Sequence, residues 1–429
     1  MKTLITRVAF ILCLIIFSIT MVLSQGAGND RPTDPPVPVY KTLKNLYLNT
    51  VIVANNQPQI IIVSPKIYLT ESNQIQAAIK NLTGINVPIV SDQNDDELWP
   101  LKSNVILLGN RSTNSLISKL YDRGYTFLDL KYPGNGGYVV RSLHNPLGNG
   151  KNVLFVGGSD NYGVRAAGNE FVKLLKDTGV KSGTMTIGYV SKIKLGNGYL
   201  LPDEIEDAKI WEASENYKST GYFGWNIISK NMALYYMTGE ERFLKEFLRL
   251  SFPDSAAIKE LEVKDGERIE DKKHPLSGPY HYNAYMMIQM WDLIEESPLL
   301  NDEQRLKITN AFAGQLEHRL TEYGSIYWIT KPPDYVFERH YDWAAFSLYV
   351  LGRYFAKDYP DTVWTHCLYA SDLYFSRLKS TYWAHGNEDF LPWFGSNYDP
   401  AMDYLLYSGK RDQDMLENLR RALNTQQIV

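Results

Sequence analysis

The chain changes rhythm at about Pro202, and that change restricts its fold more than any other feature of its 429 residues. Before it, short apolar runs alternate with helical patterns; after it, strand-like runs vanish. Gln59 to Val63 is an apolar β-branched run, Thr70 to Leu82 places Ile75, Ile79 and Leu82 on one helical face, and Val87 to Val90 and Asn104 to Leu108 read as strands. Gly137 to Arg141, Asn152 to Val156 and a helix from about Gly163 to Leu175 continue the alternation. This predicts an α/β layered, sandwich-like domain over 45–195.

Helices are expected near 218–237, 239–252, 279–296, 302–323, 340–357, 361–379, 398–408 and 411–424. The starts at 218, 279, 340 and 398 recur about every 60 residues, as stacked helical hairpins with long loops would. Each first helix, such as Asn283 to Leu293 or Trp343 to Phe355, is the more apolar of its pair and is predicted inside. Second helices, such as Asp302 to Tyr323, carry charge on one face and are predicted outside. Hairpins of this kind curl into an all-α (α/α) toroid, expected here over 205–429. A closed ring of six hairpins needs more chain than this, so the ring is expected to be open or cut short.

At the N-terminus, Met1, Lys2 and Arg7 precede an uncharged run from Val8 to Leu23 and a small, polar stretch from Ser24 to Gly28. That is the pattern of a secretory signal peptide, expected over 1–25, and the run is shorter than the ~20 residues a spanning helix needs. A secreted or periplasmic location follows, with no membrane attachment after cleavage. Residues 26–44, with Asp34-Pro35-Pro36 and Pro38, show no apolar periodicity and read as a linker. Cleavage would leave Cys367 as the sole cysteine, so no internal disulfide is expected. Removing Lys2 and Arg7 lowers the formal charge from −4 to −6, and no basic block remains. Nucleic acids and anionic membranes are therefore excluded as expected partners.

The segment Lys151 to Leu175, KNVLFVGGSDNYGVRAAGNEFVKLL, places a strand, a Gly-Gly turn and a helix opened by Tyr-Gly in succession. With Ile60 to Val63, the helix ending Asn81-Leu82-Thr83-Gly84, Val87-Pro88-Ile89 and Val105 to Gly109, it resembles the accessory α/β domain that precedes the catalytic barrel of β-hexosaminidases and α-glucuronidases. The resemblance covers about residues 45–195 and includes no catalytic residue. A β/α barrel should follow in those enzymes, whereas helices follow here, so their activity does not transfer. The helical part is similar, more loosely, to the toroids of polysaccharide lyases and six-hairpin glycosidases. Both resemblances imply a polysaccharide or glycan as partner.

Gly157, Gly158, Gly163 and Gly168 do not fit the dinucleotide fingerprint, and no phosphate-binding Gly-Lys-Ser/Thr is present. The turn is read as a tight strand-to-helix connection, and no cofactor is expected. The histidines are dispersed, without zinc-ligand spacing, so no metal is expected either. Asn81-Leu82-Thr83 and Asn110-Arg111-Ser112 are glycosylation sequons, meaningful in a eukaryotic source.

Six of seven histidines and eight of nine tryptophans lie beyond residue 200, which directs the search for chemistry to the helical part. They cluster where inner helices begin. Tyr222, Trp225 and Asn226 open the first, Tyr280, His281, Tyr282 and Asn283 the second, and Arg339, His340, Tyr341 and Asp342 the third. His385, Glu388, Asp389, Trp393, Asn397, Tyr398 and Asp399 precede or open the fourth. Parallel inner helices would bring these clusters to one cleft, with Tyr222, Trp225, Asn226, Asn283, Tyr341, Trp393 and Tyr398 contacting a sugar. A glycoside hydrolase, the leading expectation, would use Asp342 with Glu388 or Asp389 as its carboxylate pair. A polysaccharide lyase would use Arg339 or Asn283 to neutralise a uronate, His340 or His281 as base, and Tyr280 or Tyr282 as acid. A non-catalytic glycan-binding protein, or a truncated remnant of a longer enzyme, is the remaining alternative.

Overall fold

A computed structural model of the chain describes residues 36–201, 225–264, 269–316, 339–376 and 394–426. The described elements belong to the second of two compact units, Met1–Pro36 and Val37–Val429. An N-terminal α/β region is followed by a mostly helical one.

The α/β region runs β1 (Thr50–Ala54), β2 (Gln57–Pro58), β3 (Ile60–Val63), α1 (Leu69–Thr83), β4 (Ile89–Val90), β5 (Asn104–Gly109), α2 (Ser115–Asp122), β6 (Tyr138–Leu143), β7 (Val153–Gly158), α3 (Asn161–Thr178), β8 (Met185–Ile187) and β9 (Ser191–Lys194). Six strands form a mixed sheet in the order β4-β3-β5-β7-β6-β9, parallel from β4 to β7 and antiparallel at β6 and β9. A small antiparallel sheet in the order β2-β1-β8 joins the first two strands to the penultimate one. The central strands β3, β5 and β7 are apolar except at Asn104 and the closing glycines, because both faces are covered. Ile106, Leu108, Leu154 and Val156 pack with Ile75 and Ile79 of α1 and Val164 and Phe171 of α3. Val105, Leu107, Val153 and Phe155 point the other way, into a core shared with α2 and the helical region. The register Val105 to Val153 and Leu107 to Phe155 keeps these side chains on one face.

Gly158 and Gly163 let β7 and α3 approach. A Cβ at Gly158 would stand 2.6 Å from the Gly163 backbone, so the Gly-Gly turn is used for packing. Asp160 then caps α3 by accepting the Gly163 N–H at 2.7 Å. Asn110, in the second sequon, is buried with its amide on the Gly158 carbonyl at 2.9 Å, whereas Asn81 is exposed on α1. Only Asn81 of the two presents its side chain to a modifying enzyme.

The helical region contains α4 (Ile227–Thr238), α5 (Glu241–Ser251), α6 (Ser255–Lys264), α7 (His281–Ile294), α8 (Asp302–Ala313), α9 (Arg339–Asp358), α10 (Thr362–Ser376), α11 (Phe394–Ser408) and α12 (Gln413–Gln426). The expected start at 218 falls outside the described residues, and Asn226, in extended conformation, caps a helix that begins at Ile227. No helix was expected at α6, whose apolar signal is reduced to the buried Ala257 and Leu261. Its start is set by Asp254, which accepts the N–H groups of Ala256 and Ala257.

Lateral bonds between α4, α7, α9 and α11 join residues at nearly constant sequence separation. Asn226 meets Met287 and Tyr235 meets Ser297, 61 and 62 residues apart. Trp291 meets Tyr354 and Tyr349 meets Tyr407, 63 and 58 residues apart. A constant offset requires these helices to run side by side in the same direction. α7 is buried almost throughout, while α5 buries Leu244, Phe247 and Leu250 and exposes charge.

Residues 37–44, read as linker, are docked instead. The Tyr40 backbone exchanges two hydrogen bonds with Asn310 of α8, its hydroxyl accepts from Trp364 at 2.5 Å, and its ring lies 4.4 Å from that of Tyr359. Single anchoring side chains leave no periodicity for a sequence pattern to register.

Candidate functional site

Because α7 and α9 are parallel, their N-terminal ends lie together. His281 is the first residue of α7 and His340 the second of α9, and His281 Nε2 lies 2.7 Å from His340 Nδ1. Tyr280 stands at the cap position of α7 with its ring 4.3 Å from His281 and 5.0 Å from Tyr282. Tyr282 lies 4.6 Å from His281 and 5.4 Å from His340, ring to ring. Four ionisable or polar rings thus form one group at two adjacent helix mouths.

The group is layered. Tyr280, His340 and Tyr341 are half-buried, while His281, Tyr282 and Asn283 are buried behind them. The contact between the imidazoles accommodates one proton along its line; protonating both rings would set two cations at hydrogen-bond distance. The positive ends of two helix dipoles meet at the same place, which favours an anionic group arriving there. Asn283 is fully buried, and both its amide atoms lack a hydrogen-bond partner among the described residues. A buried amide left in that state is a costly feature for folding alone to retain.

Other expected residues are placed differently. Asn226 is consumed by the α4 capping box with Ser229, and its amide nitrogen faces Met287, so it serves the helix. Asp342 is fully buried, and Tyr374 of the following helix α10 donates to it at 2.5 Å, which turns its carboxylate toward that helix. Trp225 packs partly buried against the core. Tyr222, His385, Glu388, Asp389 and Trp393 lie outside the described residues. Arg339 opens α9 and Tyr398 stands near the start of α11.

Sequence reasoning missed Asp403. It lies one turn beyond Asp399 on α11, close enough to Tyr285 of α7 for both carboxyls to act on that phenol. Burial, and then the charge of Asp399, pushes the Asp403 carboxyl up to about 7. The i, i+4 spacing of the two acids on one helix was the available signal. In the unfolded chain this carboxyl ionises near its ordinary value of 3.8, so between about pH 4 and 7 the folded state holds the extra proton. Stability contributed by this group therefore falls as pH rises through that window. Asp403→Asn is expected to match the wild type in urea unfolding near pH 4.5 and to exceed it near pH 8. An equal gain at both pH values would rule out ionisation as the cause.

No described helix is long and apolar enough to cross a membrane. Among the described residues, no group of three or more His, Cys, Asp or Glu side chains is arranged to hold a metal ion.

Residues 44–175 match a family described as S-layer like, outer domain. The α/β region is similar to that domain, and the match is consistent with a protein at the cell surface or outside the cell. No curated protein matches the chain.

Proposed function

We propose that the chain is a secreted or periplasmic enzyme that cleaves a uronate-containing polysaccharide by β-elimination. The observation that carries this reading is the His281–His340 pair at 2.7 Å, flanked by Tyr280 at the joined mouths of α7 and α9. In this reading the four parallel inner helices form an arc of an open (α/α) toroid, and the α/β region is an accessory module of the kind found in β-hexosaminidases and α-glucuronidases.

Elimination needs three functions, and each has a candidate. The substrate carboxylate is stabilised by the two helix N-termini, which makes the adjacent C–H acidic. His340 takes that proton, and the electron pair forms the new C=C bond as the C–O bond to the leaving sugar breaks. The Tyr280 hydroxyl gives its proton to the departing oxygen. His281 holds the orientation and protonation of His340 from behind.

Hydrolysis is the second reading. It is favoured by Asp403, a carboxyl that retains its proton near neutral pH, as a general acid must. Incubation with a panel of neutral and uronate-containing polysaccharides separates the two. The expected result is a rise in the ultraviolet absorbance of an unsaturated uronate. New reducing ends without that absorbance would replace elimination by hydrolysis, and no new ends on any member would favour glycan binding alone.

A further inference from the structure

A cleft of about 700 Å³, whose lining includes neither histidine of the pair, lies between α2 on one side and the α11–α12 hairpin on the other. Its wall carries Lys119, Arg123, Lys410 and Arg411 against two acids, Asp96 and Asp122. The acids are already engaged: Asp96 with Lys119 at 3.0 Å, and Asp122 with Arg111 at 3.0 Å. Lys410 is likewise paired with Asp372 at 2.8 Å. Arg123 and the exposed Arg411 have no carboxylate partner among the described residues.

Arg123 is fixed in place. Its guanidinium donates to the Lys119 carbonyl at 2.9 Å and lies 4.7 Å from the centre of the Trp99 ring. Gly409, with φ of +68°, supplies the room, since a Cβ there would strike the guanidinium. Burial pulls this cation below its ordinary range, and the nearby tyrosines and the Asp122 carboxylate only partly offset it. An arriving anion would offset that cost and could be held by two parallel N–H donors. Trp99 lines the same cleft, and Leu406 and Leu416 leave apolar surface exposed in its wall. Carbon-bound faces of a sugar ring pack on surface of that kind.

We infer that this cleft is a subsite for an acidic saccharide, seating its carboxylate on Arg123 and Arg411 and its ring against Trp99 and the leucines. The anion follows from the two guanidiniums alone, and the choice of a saccharide rests on the function proposed above. Such a subsite would retain a polymer strand away from the mouth where it is cut.

The test is calorimetric titration of the intact chain with glucuronate, glucose and inorganic sulfate. Glucuronate is expected to bind, with glucose weaker by about tenfold or more, the usual consequence of losing a charge-assisted contact. Arg123→Gln should weaken glucuronate by a similar factor. Arg411→Gln, at an exposed position where folding is not at stake, should weaken it several-fold. Glucuronate binding unchanged in both variants, or equal binding of glucose, would overturn the proposal. Binding of sulfate without glucuronate would reduce the cleft to a simple anion site and remove the saccharide. Binding that depends on both arginines in a protein without cleavage activity would support the subsite and reject the proposed elimination, so the two failures are distinguishable.

Discussion

His340→Ala is expected to lower turnover on a uronate polysaccharide by roughly 10²–10⁴-fold, the range for losing a general acid or base, while leaving the protein folded. The position permits this separation. His340 is half-buried at a helix start, and its bond to His281 contributes about 1 kcal/mol net, a small part of the stability of a domain this size. His281→Ala should behave differently, because His281 is buried and reaches a substrate only through its neighbour. It is expected to shift the pH dependence of kcat/KM and to cost less than the His340 change. The checks are steady-state kinetics across pH and circular dichroism on each variant. Unchanged turnover in His340→Ala would remove it from the mechanism and move attention to Asp403.

The adjacency of these histidines was legible because hairpin recurrence fixes neighbours: residues about 60 apart on parallel helices must lie side by side. The same argument gave the order of these parallel helices, and the loss of strand-like runs after Pro202 gave the change from α/β to helical structure. It did not distinguish a polar residue that faces a ligand from one that completes a helix. Asn226 and Asn283 have the same side chain and comparable places in the pattern, yet one closes a capping box and the other is buried with an idle amide. Only tertiary surroundings separate them. Arg123 and Gly409 are nearly 300 residues apart, and neither is unusual alone; the cleft they share comes from packing between regions that no periodicity connects.

Lys44 presents the same difficulty for sequence reading, in what had passed for a linker, and it carries the largest expected effect on stability. Its ammonium is almost fully buried, paired with Glu295 and 3.4 Å from Asp358, and 4.7 Å above the Tyr354 ring. Lys357 pairs with Asp292 at 2.7 Å beside it, and Tyr354 donates to Glu295 at 2.7 Å. Burial pulls the Lys44 ammonium down, but the carboxylates around it more than reverse this, so it stays charged beyond its ordinary range. Burial and the neighbouring Glu295 push the Glu296 carboxyl well up, and burial pushes Glu295 up as well, against the pull of Lys44. Lys44, Lys357 and Arg353 lie among the carboxyls of Asp292, Glu295, Glu296 and Asp358. Lys44→Met keeps most of the stem but strands carboxylates without their cation, at a cost of about 3–5 kcal/mol. A group whose folded pKa is raised contributes fully below its unfolded value, so this loss should appear throughout neutral pH. It should shrink in acid as the stranded carboxylates take up protons. Urea unfolding of both proteins near pH 5 and pH 8 measures it; a loss under about 1 kcal/mol, the usual worth of an exposed pair, would show that the cluster is solvated in solution. The cluster lies at the C-terminal end of α7, roughly 17 to 21 Å along the helix from His281 at 1.5 Å per residue. Turnover per folded molecule should therefore survive Lys44→Met, while His340→Ala removes turnover and spares the fold. That opposition would separate what holds the two helices together from what their other ends do.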